Sequence, residues 1–113
     1  MRLTNFIVRD AIIPALGVSG RDVDPRDTAA VARVKEAVIR EMVGGLHAAG
    51  YFRDADLSDI VRAVMRREQL GTTGIGRHIA IPHSRHASVD RLIGTLAKSD
   101  DGLPFNSLDG EPV

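Results

Sequence analysis

A glycine-rich segment divides the chain into two parts that carry different patterns of apolar residues. Three glycines fall within residues 71–76, and their freedom to take positive φ favours a loop in which neither a helix nor a strand persists. Before this segment the apolar residues recur at helical spacing, whereas Ile79–Ile81 after it is a short apolar run that Pro82 ends. We therefore expect helices, then a loop at residues 71–76, then a strand that ends at His83.

Two amphipathic helices are predicted before the glycines. The first is expected to begin near Pro25 with Asp24 as its cap, since a capping aspartate followed by proline is typical of a helix start, and to stop at Gly50. One face carries apolar residues at steps of three and four, namely Val31, Val34, Val38, Met42, Leu46 and Ala49. The opposite face is charged and carries Arg33, Lys35, Glu36 and Arg40.

The second helix is expected to be capped by Asp54 or Asp56 and to end near Gly71. Its buried stripe consists of Leu57, Ile60, Val61, Val64 and Met65. Arg66 and Arg67 then lie in the last turn, where a positive charge suits the negative end of the helix dipole.

Further strands and turns are predicted near the two ends of the chain. Residues 3–18 alternate weakly and indicate a strand, alone or followed by a short helical turn. Residues 92–97 form another apolar run of strand length. Asp101-Gly102 and Asp109-Gly110 are each typical of a tight turn.

The whole chain, residues 1–113, is predicted to form one α/β domain in which helices pack on a sheet. The sheet is expected to lack its C-terminal part, because the chain ends at Val113, where the partner strand of a hairpin would begin.

Charge and cysteine content exclude several classes of function. Fifteen lysines and arginines balance fifteen aspartates and glutamates, so no broad positive field attracts nucleic acid. The absence of cysteine excludes disulfides and thiolate zinc sites. No signal peptide or membrane span is recognised, since no run reaches the roughly 20 apolar residues that a span needs. We expect a cytoplasmic protein that needs no cofactor.

His83 is the candidate reactive residue. An exposed neutral imidazole can attack phosphorus as a nucleophile, and its phosphorylated nitrogen remains a good leaving group. Pro82 restricts the backbone beside it. Donors for an anion are available from the N–H groups of the glycine loop and from the side chains of Arg67, Thr72 and Thr73.

The residues alone leave two other readings of His83 open. It could be a solvent-facing structural histidine, because single histidines are common. A metal site formed by His78, His83 and His86 is the second reading, although residues five apart in a strand point to opposite faces. His47, beside the apolar stripe of the first helix, is expected to be a boundary residue, and Glu68 either orients Arg67 or is exposed.

The run from Arg67 to His83, R-E-Q-L-G-T-T-G-I-G-x-x-I-A-I-P-H, resembles the active-site signature of enzyme IIA domains of the fructose/mannitol class in the bacterial phosphotransferase system. That family includes a nitrogen-regulatory branch. The upstream helices and the segment G-L-P-F-N-S-L-D-G-E-P-V are also similar to it, so that the resemblance extends from about Asp27 to the end.

The resemblance implies a mixed β-sheet flanked by helices and a phosphocarrier whose His83 takes a phosphoryl group from a small phosphohistidine protein. Arg67 is the residue that helps to bind this group. The implied partners are a histidine phosphocarrier protein, HPr or its nitrogen-branch homologue, and regulatory targets. The absence of an attached transporter domain favours the regulatory branch.

Three departures from the family pattern affect this expectation. His78 stands where a small residue is usual, Ser84 stands where glycine is commoner, and family domains continue for several tens of residues beyond the aligned end. Two alternatives therefore remain: a sugar-specific IIA domain that feeds a transporter through a IIB protein, and a fragment that binds a partner without being phosphorylated.

Overall fold

The computed structural model describes residues 5–113, so the first two residues of the predicted 3–18 strand lie outside the described part. After a one-turn 3-10 helix at Arg9–Ala11, the elements in chain order are α1, Thr28–Ala48; α2, Asp54–Leu70; β1, Gly74–Gly76; and β2, Ile79–Ala80. The predicted α/β class is confirmed. None of the helices within residues 5–113 is long and apolar enough to cross a membrane.

Helix α1 begins three residues later than predicted, and its cap is Asp27 rather than Asp24. The Asp27 carboxylate accepts a hydrogen bond from the Ala30 N–H at 3.1 Å. The Asp24 carboxylate is used in the preceding turn, where it accepts from the Arg26 N–H at 2.9 Å. The predicted end is confirmed, since Gly50 takes a φ of 88° just after the helix.

Helix α2 has no side-chain cap, because Arg53 occupies the capping position and its side chain accepts no hydrogen bond from the N–H groups of the first turn. The prediction that Asp54 or Asp56 caps this helix is therefore wrong. Both carboxylates lie in the first turn instead, where a negative charge still stabilises the positive end of the helix dipole.

Two apolar clusters hold the elements together. One fills the space between the two helices and consists of Ile39, Val43, Val61 and Val64, flanked by Leu57, Ile60 and Met65 of the predicted α2 stripe. The other packs α1 against the C-terminal segment and consists of Val34, Val38, Leu103 and Phe105. Val31, Val34 and Val38 of the predicted α1 stripe are buried, but α1 also buries Ile39 and Val43, which that stripe did not include.

The glycine segment forms a hairpin with the strand that follows it, so the prediction of a loop throughout residues 71–76 is wrong. Gly74 pairs with Ala80 and Gly76 with Ile79 in an antiparallel ladder. The connecting residues Arg77 and His78 both have positive φ, 56° and 64°, which is the backbone of a type I′ turn. The turn thus brings the glycine segment back against the strand that leads to His83.

The terminal apolar runs pair in parallel but do not form continuous strands. Ile7 bridges Gly94 and Ile13 bridges Ala97, and the 3-10 turn between Ile7 and Ile13 interrupts the pairing. Together with the antiparallel hairpin, these bridges mean that residues 5–113 contain both parallel and antiparallel pairings. Near the end of the chain, Gly110 turns with a φ of 75°, and Val113 exchanges two backbone hydrogen bonds with Leu103, at 2.7 and 2.8 Å.

Candidate functional site

His83 lies just beyond the point where the hairpin ladder stops. The Ile81 N–H donates to the Thr73 carbonyl at 3.1 Å, which extends the register by one pair beyond Gly74 and Ala80. No further backbone hydrogen bond joins the two strands beyond this pair within residues 5–113. The chain therefore leaves the sheet at His83, whose side chain is exposed.

The imidazole of His83 is held by the backbone immediately before it. Its Nδ1 lies 2.8 Å from the Ile81 carbonyl oxygen. A carbonyl oxygen can only accept a hydrogen bond, so in the neutral ring this contact requires the proton on Nδ1. Nε2 is then the nitrogen with a free lone pair.

Arg67 lies in the last turn of α2, as predicted, and closes that end of the helix. Its Nη1 donates to the Gly71 carbonyl oxygen at 2.7 Å. Gly71 lies three residues before β1 and His83 three residues after β2, so both flank the open end of the hairpin. The backbone group that anchors Arg67 is therefore at the same end of the hairpin as His83.

The hydroxyl of Thr72 and the backbone N–H of Thr73 are committed to contacts inside the protein. The Thr72 hydroxyl donates to the Phe105 carbonyl at 2.7 Å and accepts from the Gly74 N–H at 3.0 Å. Thr73 is buried, with 4% of its surface exposed, and its Oγ1 has no hydrogen-bond partner among the described residues. In this conformation the Thr72 hydroxyl proton and the Gly74 N–H are not free to bind an anion.

A buried ion pair lies behind this segment, and it corrects two expectations. Lys35, assigned above to the charged face, and Glu68, expected to be exposed or beside Arg67, have side chains only 8% and 1% exposed, with 2.9 Å between Lys35 Nζ and Glu68 Oε1. The two Glu68 carboxylate oxygens also accept from the Thr73 N–H at 3.1 and 3.2 Å. The spacing of apolar residues could not predict this pair, because a long charged side chain beside an apolar stripe can turn inward without changing that spacing.

The charge of Glu68 is stabilised despite its burial. Burial raises the pKa of the carboxyl, but the hydrogen bonds from Lys35 and Thr73 and the charge of Lys35 outweigh it, so the pKa lies below its usual value. Glu68 is therefore ionised near neutral pH, and Lys35 compensates its charge.

The other histidines each have a separate partner. His78 Nδ1 lies 2.8 Å from the Pro112 carbonyl, His86 Nδ1 lies 2.7 Å from Ser88 Oγ, and His47 contacts the Asp54 carboxylate across the α1–α2 connection. Within residues 5–113 no group of three metal-ligating side chains comes together. The metal reading that used His78, His83 and His86 therefore has no geometric support here.

The Asp109 carboxylate makes a second set of contacts that the sequence did not predict. It accepts from the Arg77 N–H at 3.1 Å and from the Glu111 N–H at 3.0 Å. The Glu111 and Arg77 hydrogen bonds lower the pKa of the Asp109 carboxyl. The carboxylate thereby ties the hairpin turn to the C-terminal segment.

Residues 27–113 match the family model of the phosphoenolpyruvate-dependent sugar phosphotransferase system, EIIA 2. A nitrogen regulatory protein of Bradyrhizobium diazoefficiens is 30% identical over 113 residues, which is 100% of this chain and 63% of that protein. The fructose-specific EIIABC component of Bacillus subtilis is 42% identical over 82 residues, 73% of this chain and 13% of that protein.

A fructose-specific EIIA component of Haloferax volcanii is 32% identical over 79 residues, 70% of this chain and 50% of that protein. The chain thus spans less than two thirds of the length of each of these relatives. No solved structure gives a significant match.

Proposed function

The chain belongs to the EIIA 2 family of the phosphoenolpyruvate-dependent sugar phosphotransferase system, and from that membership we propose that His83 accepts a phosphoryl group from a histidine phosphocarrier protein of the HPr type. The chain is then a phosphocarrier-type IIA domain. The observation that carries the assignment of the reacting atom is the 2.8 Å contact between His83 Nδ1 and the Ile81 carbonyl.

In the proposed reaction the free lone pair on His83 Nε2 attacks the phosphorus of the donor phosphohistidine. The new bond joins Nε2 to phosphorus, and the bond between phosphorus and the donor nitrogen breaks with its electron pair returning to the donor imidazole. The proton stays on His83 Nδ1. Its hydrogen bond to the Ile81 carbonyl oxygen stabilises the positive charge that the phosphorylated ring acquires.

Arg67 is proposed to bind the phosphoryl oxygens. Nη1 is bonded to the Gly71 carbonyl, and a guanidinium has further N–H donors to direct at an anion. Thr72 and Thr73 are proposed to shape this phosphate site from behind, since their contacts to Phe105 and Glu68 fix the backbone between Arg67 and β1.

A regulatory role is the first proposal for the output of the domain. A nitrogen regulatory protein matches over the full length of this chain, and a regulatory IIA domain would change its affinity for target proteins when His83 is phosphorylated. The alternative is transfer onward to a IIB protein of a sugar transporter, which the higher identity to a fructose-specific component favours. A partner-binding domain that is never phosphorylated is the third possibility.

The test is phosphate transfer from phosphoenolpyruvate through purified donor enzymes of the system. We expect an acid-labile phosphate on the wild-type protein, none on His83→Ala, and an unchanged amount on His86→Ala, which removes a neighbouring histidine with its own partner. Uptake by His83→Ala would refute the assignment of the reacting residue. No uptake by the wild type, together with retained target binding, would select the third possibility, and onward transfer to a IIB protein would select the second.

A further inference from the structure

We propose that Glu68, held by Lys35, is a positioning residue that fixes the imidazole of His83 through a continuous series of hydrogen bonds. The inference rests on the proposed function, since it concerns the residue that would carry the phosphoryl group. Neither Glu68 nor Lys35 touches the reacting atoms.

The first half of the series crosses the protein interior. Lys35 Nζ on α1 lies 2.9 Å from Glu68 Oε1 on α2, and both Glu68 carboxylate oxygens accept from the Thr73 N–H at 3.1 and 3.2 Å. One carboxylate therefore binds a side chain of α1 and the backbone that enters β1. A carboxylate, which only accepts, can serve both donors at once.

The second half of the series follows the hairpin to the surface. The Thr73 carbonyl accepts from the Ile81 N–H at 3.1 Å, and the Ile81 carbonyl lies 2.8 Å from His83 Nδ1. Thr73 is thus bonded to Glu68 through its N–H and to Ile81 through its carbonyl. Ile81 is bonded to Thr73 through its N–H and to His83 through its carbonyl. The Thr73–Ile81 pair is the last backbone link between the two strands before His83 within residues 5–113.

A purely structural role explains this ion pair poorly. Two well-packed apolar side chains of similar volume usually stabilise a fold as well as a buried ion pair does, because burying the charges costs so much. A carboxylate provides something that they lack, a directed acceptor for the Thr73 N–H. Lys35 also lies 5.2 Å from the centre of the Phe105 ring, and the Phe105 carbonyl accepts from Thr72, so the same pair supports the segment from both sides.

Glu68 therefore determines where the Ile81 carbonyl points. If the Thr73 N–H lost its acceptor, residues 72–74 would shift, and the Ile81 carbonyl would shift with them through the 3.1 Å ladder bond. The His83 ring would then populate both neutral tautomers, and Nε2 would carry a lone pair only part of the time.

The experiment compares the wild type with the double variant Lys35→Met/Glu68→Leu, which replaces the ion pair by apolar groups of similar volume. Glu41→Leu is the matched control, because the two Glu41 carboxylate oxygens also accept from one backbone N–H, that of Gly17, at 3.0 and 3.1 Å. The His83 tautomer is read from long-range ¹H–¹⁵N correlation of the unphosphorylated protein with the ring neutral. The rate of phosphate uptake is measured separately.

We expect the Nδ1–H tautomer in the wild type and in Glu41→Leu, and a mixture of tautomers in the folded double variant with uptake slower by about 10- to 100-fold. A folded double variant with wild-type tautomer and rate would overturn the proposal. If that variant does not fold, the wild-type spectrum still tests the last link of the series, and an Nε2–H tautomer there contradicts the proposal. The tautomer is independent of phosphate transfer, so a wild type that takes up no phosphate contradicts the proposed function alone.

Discussion

Replacing Lys35 alone by Met should destabilise the protein strongly, because it leaves the Glu68 carboxylate buried without its cation. Removing one partner of a buried ion pair costs about 3–5 kcal/mol. We expect the lower end, about 3 kcal/mol, since the Thr73 N–H still donates to the carboxylate. In a domain of this size that loss lowers the melting temperature by roughly 10 °C or more. Urea denaturation monitored by circular dichroism measures the free energy of unfolding directly.

The pH dependence of the same variant identifies the cause. In the wild type the folded-state pKa of Glu68 lies below its ordinary value of 4.5, so the pair's stabilisation is present above that value and is lost as the pH falls through the folded pKa. Without Lys35, burial acts with less compensation and raises the folded pKa, so the variant gains stability relative to the wild type when Glu68 is protonated. The destabilisation should therefore be largest near neutral pH and shrink towards about pH 4.

Two results would refute this reasoning. One is a loss below about 1 kcal/mol at neutral pH, which is the size expected of an exposed pair. The other is a loss that is independent of pH, because it would mean that packing, and not the uncompensated carboxylate, is what the lysine supplies. Lys35→Met/Glu68→Leu serves as the control, and it should recover part of the stability, because neither charge remains although the buried Thr73 N–H loses its acceptor.

Three further changes test the site and its framework. Arg67→Lys should slow phosphate uptake by about 10-fold or more while the protein stays folded, because an ammonium cannot bind the Gly71 carbonyl and a phosphoryl group in the geometry of a guanidinium; an unchanged rate would exclude Arg67 from phosphate binding. His78→Gly should raise the free energy of unfolding by about 0.5–1 kcal/mol, since His78 has a φ of 64°; if the Nδ1 contact with the Pro112 carbonyl outweighs the strain, stability falls instead. Asp27→Ala should cost about 1 kcal/mol as the loss of a helix cap, whereas Asp24→Ala should cost less; equal losses in thermal denaturation would mean that both carboxylates support the helix alike.

The elements that sequence predicted well are those governed by local periodicity. The apolar stripes of α1 and α2, the stop at Gly50 and the strand before Pro82 each follow from spacing or from the conformational limits of one residue. The start of α1 was displaced because Asp24 and Asp27 are equally good caps in isolation. The choice between them depends on the turn in which the Asp24 carboxylate is already bound to Arg26.

The supporting contacts of the candidate site were not predictable in this way. Lys35 and Glu68 are far apart in sequence and meet only because the two helices pack, and β1 forms only because a type I′ turn at Arg77 and His78 returns the chain against it. Both depend on tertiary contact between residues whose local preference is different. The signature from Arg67 to His83 indicated which residues form the candidate site but not which contacts hold those residues in place.

The parallel bridges of Ile7 with Gly94 and of Ile13 with Ala97 join segments that have both helices and the hairpin between them. Closing so long a loop is entropically costly, whereas the helix pair and the hairpin need only nearer contacts. The bridges are therefore expected to form last during folding and to open first in the native state. The Val8 and Ile13 amides, which donate across these pairings, should therefore exchange with deuterium faster than the amides in the middle of α2.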